Sequence, residues 1–222
     1  MKLIKVYIAA ILTLFMVNSS VAADSALNQI LSSGVLKAGT TGDFYPFSKR
    51  DTATNSYEGY DIDILNELAK DLGVEIEFVS TTWATLVNGI TAEKYHVTGS
   101  ASIKASRMKA SGFSDPYTAV VTKAYTTSDK ISRFNGWDSI NQSDVKVATT
   151  LGTSFETQVD NWFTNAEITK VAAPARGFQE VLVGRSDVFV TSNIEGGTLL
   201  VKYPQLREIP VEAPRSPVPL AM

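Results

Sequence analysis

The sequence predicts an α/β protein of two lobes facing each other across a ligand cleft. Strand-loop-helix units recur in both halves of the 222-residue chain. Each unit hands a strand over to a loop of small polar residues, the place where open α/β sheets bind ligands. Two extended apolar segments, Val120 to Thr126 and Ile209 to Val218, are the ones best placed to pass between the lobes. The expected division is a leader at 1–23, lobe one at 24–119, a hinge crossing at 120–127, lobe two at 128–207 and a return crossing at 208–222.

From the amino terminus, Lys2 and Lys5 precede an apolar run from Val6 to Val17, and Ser20-Val21-Ala22-Ala23 offers small residues for cleavage before Asp24. This is the pattern of a secretory signal peptide, and the run falls short of the roughly 20 residues that span a bilayer. Leu27, Ile30 and Leu31 then share a helical face ahead of Gly34, and Val35 to Gly39 reads as a buried strand. The loop Thr40-Thr41-Gly42-Asp43-Phe44-Tyr45-Pro46-Phe47 follows at its carboxyl end. Ile64, Leu65, Leu68, Ala69 and Leu72 mark an amphipathic helix closed by Gly73, and Val74, Ile76 and Phe78 alternate with Glu75 and Glu77 as a strand. Asp43 and Asp61 are candidates for polar contacts or for helix capping, with capping favoured for Asp61. Thr82 is expected to cap a short helix starting near Trp83, and Tyr95 to Ser100 to form a strand leading into the loop around Ser102.

In the second half, Asp144 to Ala148 reads as a strand and Thr149-Thr150-Leu151-Gly152-Thr153-Ser154 as the turn into a helix running through Val159, Trp162 and Phe163. Backbone N–H groups at such a helix start suit an anion, although a plain N-cap explains the same residues equally well. A helix at Phe178 to Val183 ends at Gly184, and the strand Asp187 to Thr191 delivers Ser192-Asn193-Ile194-Glu195 to a loop. Trp137 and Trp162 read as lobe-two core; Arg176, preceding Gly177, reads as a surface residue, with a place pointing into the cleft from lobe two as the alternative.

Composition removes several classes of function. A net charge of −3, with no basic stretch interleaved with aromatics, argues against nucleic acid as a partner. One histidine and no cysteine leave the usual zinc and copper ligands missing, so neither a metal nor a cofactor is expected, and an exported chain without cysteine relies on its core alone. His96, at the entry to the Tyr95 to Ser100 segment, reads as structural.

The most telling stretch runs from Ser102 to Arg107, just before Phe113-Ser114-Asp115-Pro116-Tyr117. A lone arginine is most often a solvated charge, but a guanidinium beside a hydroxyl and a polar loop matches the two oxygens of a carboxylate. The ligand this predicts is a small organic acid. Lys104 adds charge that would favour a second acidic group.

These residues together resemble the family 3 periplasmic solute-binding proteins, of the type II periplasmic-binding fold, which serve ABC importers. The resemblance implies a periplasmic protein whose partners are a small organic acid or amino acid ligand and the importer's membrane subunits. It implies that Ser102 and Arg107 hold the ligand carboxylate, that Gly152-Thr153 completes the clamp, and that Glu195 meets a ligand ammonium. Thr40-Thr41-Gly42-Asp43, Thr82-Trp83 and Ile194-Glu195 resemble in particular the cyclohexadienyl dehydratases. In that branch the Glu195 position is the general acid and the Trp83 position shapes the pocket. The tyrosine and asparagine that flank the acid there fall at Phe44 and Thr149 here, and Ser100-Ala101-Ser102 stands where the branch has Gly-Ile-Ser. Binding is therefore placed ahead of dehydration, with Asp43, Phe44, Trp83, Ser100, Ser102, Arg107, Thr149, Gly152, Thr153 and Glu195 as candidate site residues. Family members continue beyond the return crossing, so the chain, ending at Pro217-Val218-Pro219-Leu220-Ala221-Met222, is expected to lack the rest of lobe one and to be marginally stable.

Overall fold

The computed structural model describes residues 25–212 and 217–222. The expected leader and the stretch 213–216 lie outside the described residues. Helix α1 (Ala26–Ser33) opens on Ser25, whose hydroxyl accepts from the Asn28 N–H at 3.2 Å, and closes on Gly34 in the left-handed region. Of the three residues expected on its apolar face only Ile30 is buried; Leu27 and Leu31 remain half exposed.

Strand β1 (Val35–Thr40) is the centre of the first-lobe parallel sheet. The loop after it folds back as a small antiparallel sheet of β2 (Asp43–Phe44), β3 (Ser48–Arg50) and β4 (Tyr57–Glu58). Helix α2 (Tyr60–Leu72) buries Ile62, Leu65 and Ala69 and stops where Gly73 turns left-handed. Strand β5 (Glu75–Ser80) pairs with one edge of β1. Helix α3 (Leu86–Thr91) then leads to β6 (Val97–Thr98) on the other edge. Next come β7 (Ala101–Ser102), α4 (Ala105–Met108) and β8 (Thr118–Val120).

Three expectations change here. The helix expected from Trp83 begins only at Leu86, because residues 82 to 85 form a turn in which the Thr85 N–H donates to the Thr82 carbonyl at 3.1 Å. That turn drives the Trp83 ring into the core against Phe44. The strand expected over Tyr95 to Ser100 shortens to Val97–Thr98. Tyr95 leaves the ladder to bury its ring and donate its hydroxyl to the Leu86 carbonyl at 2.6 Å, and Ser100 takes a left-handed φ of 49°. Asp61 does not cap α2: it lies within the first turn, buried, and accepts from the Tyr117 hydroxyl at 2.7 Å. His96 Nδ1 accepts from the Lys37 N–H at 3.0 Å, a structural contact.

The second lobe is built on one sheet. Its elements are β9 (Thr122–Thr127), a 3-10 turn at Ile131–Arg133, α5 (Trp137–Ile140), β10 (Lys146–Thr150), α6 (Ser154–Trp162) and β11 (Glu167–Val171), followed by α7 (Gly177–Leu182), β12 (Val188–Ser192), α8 (Asn193–Lys202) and β13 (Leu206–Glu208). The strand order is β11-β10-β12-β9-β13, with β10 parallel to β11 and β12 and β9 antiparallel to β12 and β13. Both faces are covered. Val147, Val188 and Val190 point into one core cluster with Val159 and Phe163, while Ala148 and Phe189 point into the other with Tyr125, Val181 and Leu199. That alternation is the two-residue period of a strand, and each fully buried valine contributes about 1.5–3 kcal/mol. Trp137 and Trp162 meet edge to face at 5.2 Å on the rim of the first cluster.

The chain returns as β14 (Val218–Ala221), inserted antiparallel between β7 and β8, with Leu220 opposite Ser102 and Val218 opposite Val120. Residues 118–127 therefore run from a first-lobe strand straight into a second-lobe strand. The Val121 N–H, at the joint, donates to Asn193 Oδ1 at 2.8 Å.

Candidate ligand-binding site

The site is assembled where strand ends of the two lobes meet. From the first lobe, the left-handed Ser100 donates its backbone N–H to the Tyr117 hydroxyl at 2.5 Å, which aims the following residues toward the cleft. The Tyr117 hydroxyl in turn donates to Asp61, and Asp61 packs so close to the backbone at Gly99 that a side chain there would lie 2.7 Å from its carboxyl carbon. Burial lifts the Asp61 carboxyl to about 6, a rise that the Tyr117 hydrogen bond opposes.

Ser102 ends this path, and Arg107 sits one helical turn on. The Arg107 guanidinium is buried; its Nη1 donates to the Ser102 carbonyl at 3.3 Å and its Nη2 to the Gly152 carbonyl of the opposite lobe at 3.2 Å. Among the described residues no carboxylate forms an ion pair with it, and burial alone bears on its proton affinity, lowering it. A guanidinium still keeps its charge in a protein. Arg107 is thus a buried cation without a protein anion, and Lys104, half-buried beside it, is pushed down first by burial and then by Arg107.

From the second lobe, β10 ends in the turn that starts α6. Thr153 caps the helix, accepting from the Glu156 N–H at 3.2 Å and donating to the Thr150 carbonyl at 2.7 Å. The Gly152 N–H is taken by Glu156 at 2.7 Å. Gly152 has a φ of +84°, and a β-carbon on it would stand 2.3 Å from the Ala84 backbone nitrogen, so only glycine lets this turn touch the first lobe. The Ser102 and Ser154 hydroxyls meet across the cleft at 3.0 Å.

Beside Arg107 lies a second buried guanidinium, and here the sequence reading is corrected. Arg176, expected at the surface, precedes α7 and reaches across the cleft, its Nη1 donating to Asp43 of the first lobe at 2.9 Å and its Nη2 to Glu195 at 2.5 Å. Glu195, expected on a loop, occupies the first turn of α8, where Ser192 caps the helix by accepting the Glu195 N–H at 3.0 Å. The remaining oxygens are also used: Trp83 Nε1 donates to Asp43 Oδ1 at 2.9 Å, and the Thr191 hydroxyl donates to Glu195 Oε2. Burial pushes the Glu195 carboxyl up, with Arg176 and Thr191 working against it. Arg176 itself is held more firmly protonated than usual because the two carboxylates outweigh the burial that works against its charge.

Phe44, Trp83, Ser100, Ser102, Arg107 and Thr153 line one interlobe pocket, with Arg176 at its edge. Asp43 and Glu195 join it through Arg176, and Gly152 through its carbonyl. Thr149 does not join. It is fully buried on β10 beneath the start of α7, where its Cα would lie 3.5 Å from a β-carbon on Gly177. Of the lining residues, Ser154, Phe155 and Leu220 were not among the candidate site residues. A serine and an apolar residue opening a helix carried a signal for the first two; Leu220 enters only through the pairing of β14. Among the described residues no group of three or more histidine, cysteine, aspartate or glutamate side chains could hold a metal ion.

Residues 36–194 match the family model of bacterial extracellular solute-binding proteins, family 3. The chain is 30% identical over 194 residues to the cyclohexadienyl dehydratase of Pseudomonas aeruginosa, an alignment covering 87% of this chain and 72% of that protein. It is 30% identical over 161 residues to the L-cystine-binding protein TcyA of Bacillus subtilis, covering 72% of this chain and 58% of that one. The crystal structure of an ancestral amino acid-binding protein, described as a precursor of cyclohexadienyl dehydratase, superposes with a TM-score of 0.80 at 33% identity, covering 89% of this chain and 84% of that one.

Proposed function

We propose, for a chain that belongs to the bacterial extracellular solute-binding proteins of family 3, that it is a periplasmic receptor which closes its two lobes on a small carboxylate and presents it to the membrane subunits of an ABC importer. The observation that carries this reading is the Arg107 guanidinium: buried, unpaired with any carboxylate among the described residues, and facing the pocket beside Ser102 and Thr153. Buried charges are normally paired, so a site that keeps one unpaired is suited to an anion brought from outside. Relatives named as cystine-binding and amino acid-binding proteins support the receptor role.

The dehydratase relative supports a different use of the same scaffold. A general acid must carry a proton it can give away; burial raises the proton affinity of Glu195, but both its oxygens accept hydrogen bonds, one from a guanidinium that favours the ionised form. Receptor function is the better fit to that geometry.

The test is a thermal-shift and calorimetric screen of the full chain against small carboxylates, with Arg107→Met alongside. Saturable stabilisation of the parent, absent in Arg107→Met, is the expected result. Incubation with prephenate, followed by the absorbance of phenylpyruvate, checks the other reading. Rapid turnover that Glu195→Gln abolishes would overturn the receptor.

A further inference from the structure

The two buried guanidiniums at the pocket are satisfied in opposite ways. Arg107 has only backbone carbonyls, from Ser102 and Gly152. Arg176 has two carboxylates, Asp43 at 2.9 Å and Glu195 at 2.5 Å. No oxygen of that acidic pair is idle, since Trp83 and Thr191 donate to the oxygens that Arg176 leaves. A free amino acid brings two charged groups to such a cleft, a carboxylate for Arg107 and an ammonium that needs an anion. Asp43 and Glu195, which meet this pocket only through Arg176, are already held by that cation of the chain itself.

We propose that Arg176 is a tethered occupant of the cation subsite, and that the ligand of this cleft is therefore an organic acid with no ammonium group, rather than an amino acid. The inference rests on the reading of the cleft as a carboxylate site at Arg107. Arg107 and Arg176 carry two positive charges and Asp43 and Glu195 two negative; Arg176 engages both carboxylates, so the charge left without a direct partner is that of Arg107, which one ligand carboxylate meets. An added ammonium would have to share those carboxylates with a guanidinium that already makes two charge-assisted bonds in a buried setting, or displace it, and like-charge crowding or the loss of those bonds offsets what the ammonium gains. The rest of the pocket suits such an acid. The Ser102 hydroxyl and backbone can take the carboxylate's remaining lone pairs, and the rings of Phe44, Trp83 and Phe155 offer apolar walls to a carbon body.

Matched pairs of ligands that differ only by the amino group test this on the full chain. Suitable pairs are 3-phenylpropionate with phenylalanine, 4-methylvalerate with leucine, glutarate with glutamate, and 5-guanidinovalerate with arginine. Calorimetric titration of the unmodified protein is expected to give, in every pair that binds, an affinity for the desamino acid at least about tenfold above that of the amino acid. Arg176→Met, which frees Asp43 and Glu195, is expected to reverse that preference, and Arg176→Lys to keep it. The comparison on the unmodified protein decides the matter even where the Met variant does not fold. An amino acid that binds equally well or better overturns this inference and leaves the receptor reading standing. Binding of no member of either series overturns both.

Discussion

A cation with no counter-ion and a cation with two make opposite demands on the molecule. Arg107 is held in place at a standing cost, because burial opposes its charge and only two carbonyls answer it. Arg107→Met is therefore expected to raise the unfolding free energy of the free protein by about 1 kcal/mol or more, while lowering affinity for a carboxylate at least about 100-fold. Urea melts and calorimetry on the same preparations read both effects, and a variant that loses binding and stability together would contradict the account. Arg107→Lys is not a gentle change here, since an ammonium cannot offer the planar pair of donors. Glu195→Ala should do the reverse of Arg107→Met. It strips one partner from Arg176 and is expected to cost about 3 kcal/mol in the same melts. The first arginine was legible in the sequence because its neighbours, Ser102 and the segment through Tyr117, carry the pattern with it. For Arg176 the cleft was the lesser of two readings and its pairing was not legible, because Asp43 lies 133 residues away and nothing local marks their meeting.

At the scale of elements, the lobes touch through a turn whose shape depends on one residue. Gly152 lets the β10–α6 turn come against Trp83 and Ala84, and from there its carbonyl reaches Arg107. Gly152→Ala brings a β-carbon into that contact and a left-handed strain of about 1 kcal/mol as well. The variant is expected to keep both lobes folded, with far-ultraviolet circular dichroism unchanged, yet to bind carboxylate at least about tenfold more weakly. Small-angle scattering should register a larger radius of gyration for the free variant than for the parent. An unchanged affinity would mean that the contact at Ala84 does not hold the lobes together. Elements with long hydrophobic periods and glycine stops, such as α2 with Gly73 or β10 into α6, were readable from their residues because periodicity and capping are local. The β2–β4 sheet was not, since two- and three-residue strands exist through cross-strand pairing, which no pattern of that length encodes. Glu195 was assigned to a loop for a related reason: Ser192 read as the first loop residue after a strand ending at Thr191, and its role in capping α8 appears only once the helix is present.

For the molecule as a whole, proton uptake links the ligand loop to global stability. Asp61 titrates at about 6 in the folded protein against an ordinary 3.8, burial being the main cause. Below about pH 4 the folded and unfolded chains both hold this proton, and the group's full contribution to stability is present. Between pH 4 and pH 6 the unfolded chain releases the proton while the folded chain keeps it, so stability falls as the pH rises through this window and levels off above the folded value. The difference of about 2 units corresponds to roughly 3 kcal/mol. Glu195, also raised by burial, adds to the fall. Asp187, whose carboxyl is held below its usual range by Lys130, Arg133 and the Lys146 N–H, gives up its own contribution only on the acid side of the window. Urea unfolding at fixed pH values from 4 to 8 should therefore show a decline that Asp61→Asn makes shallower by about 3 kcal/mol, because the amide still accepts from Tyr117 but has no proton to lose. Tyr117→Phe removes the hydrogen bond that favours the ionised form, so its decline should extend to higher pH than the parent's. Parallel curves for the parent and Asp61→Asn would mean that Asp61 is ionised in the folded protein, and that the Asp61, Tyr117 and Ser100 chain beneath the ligand loop is held by charge rather than by a shared proton.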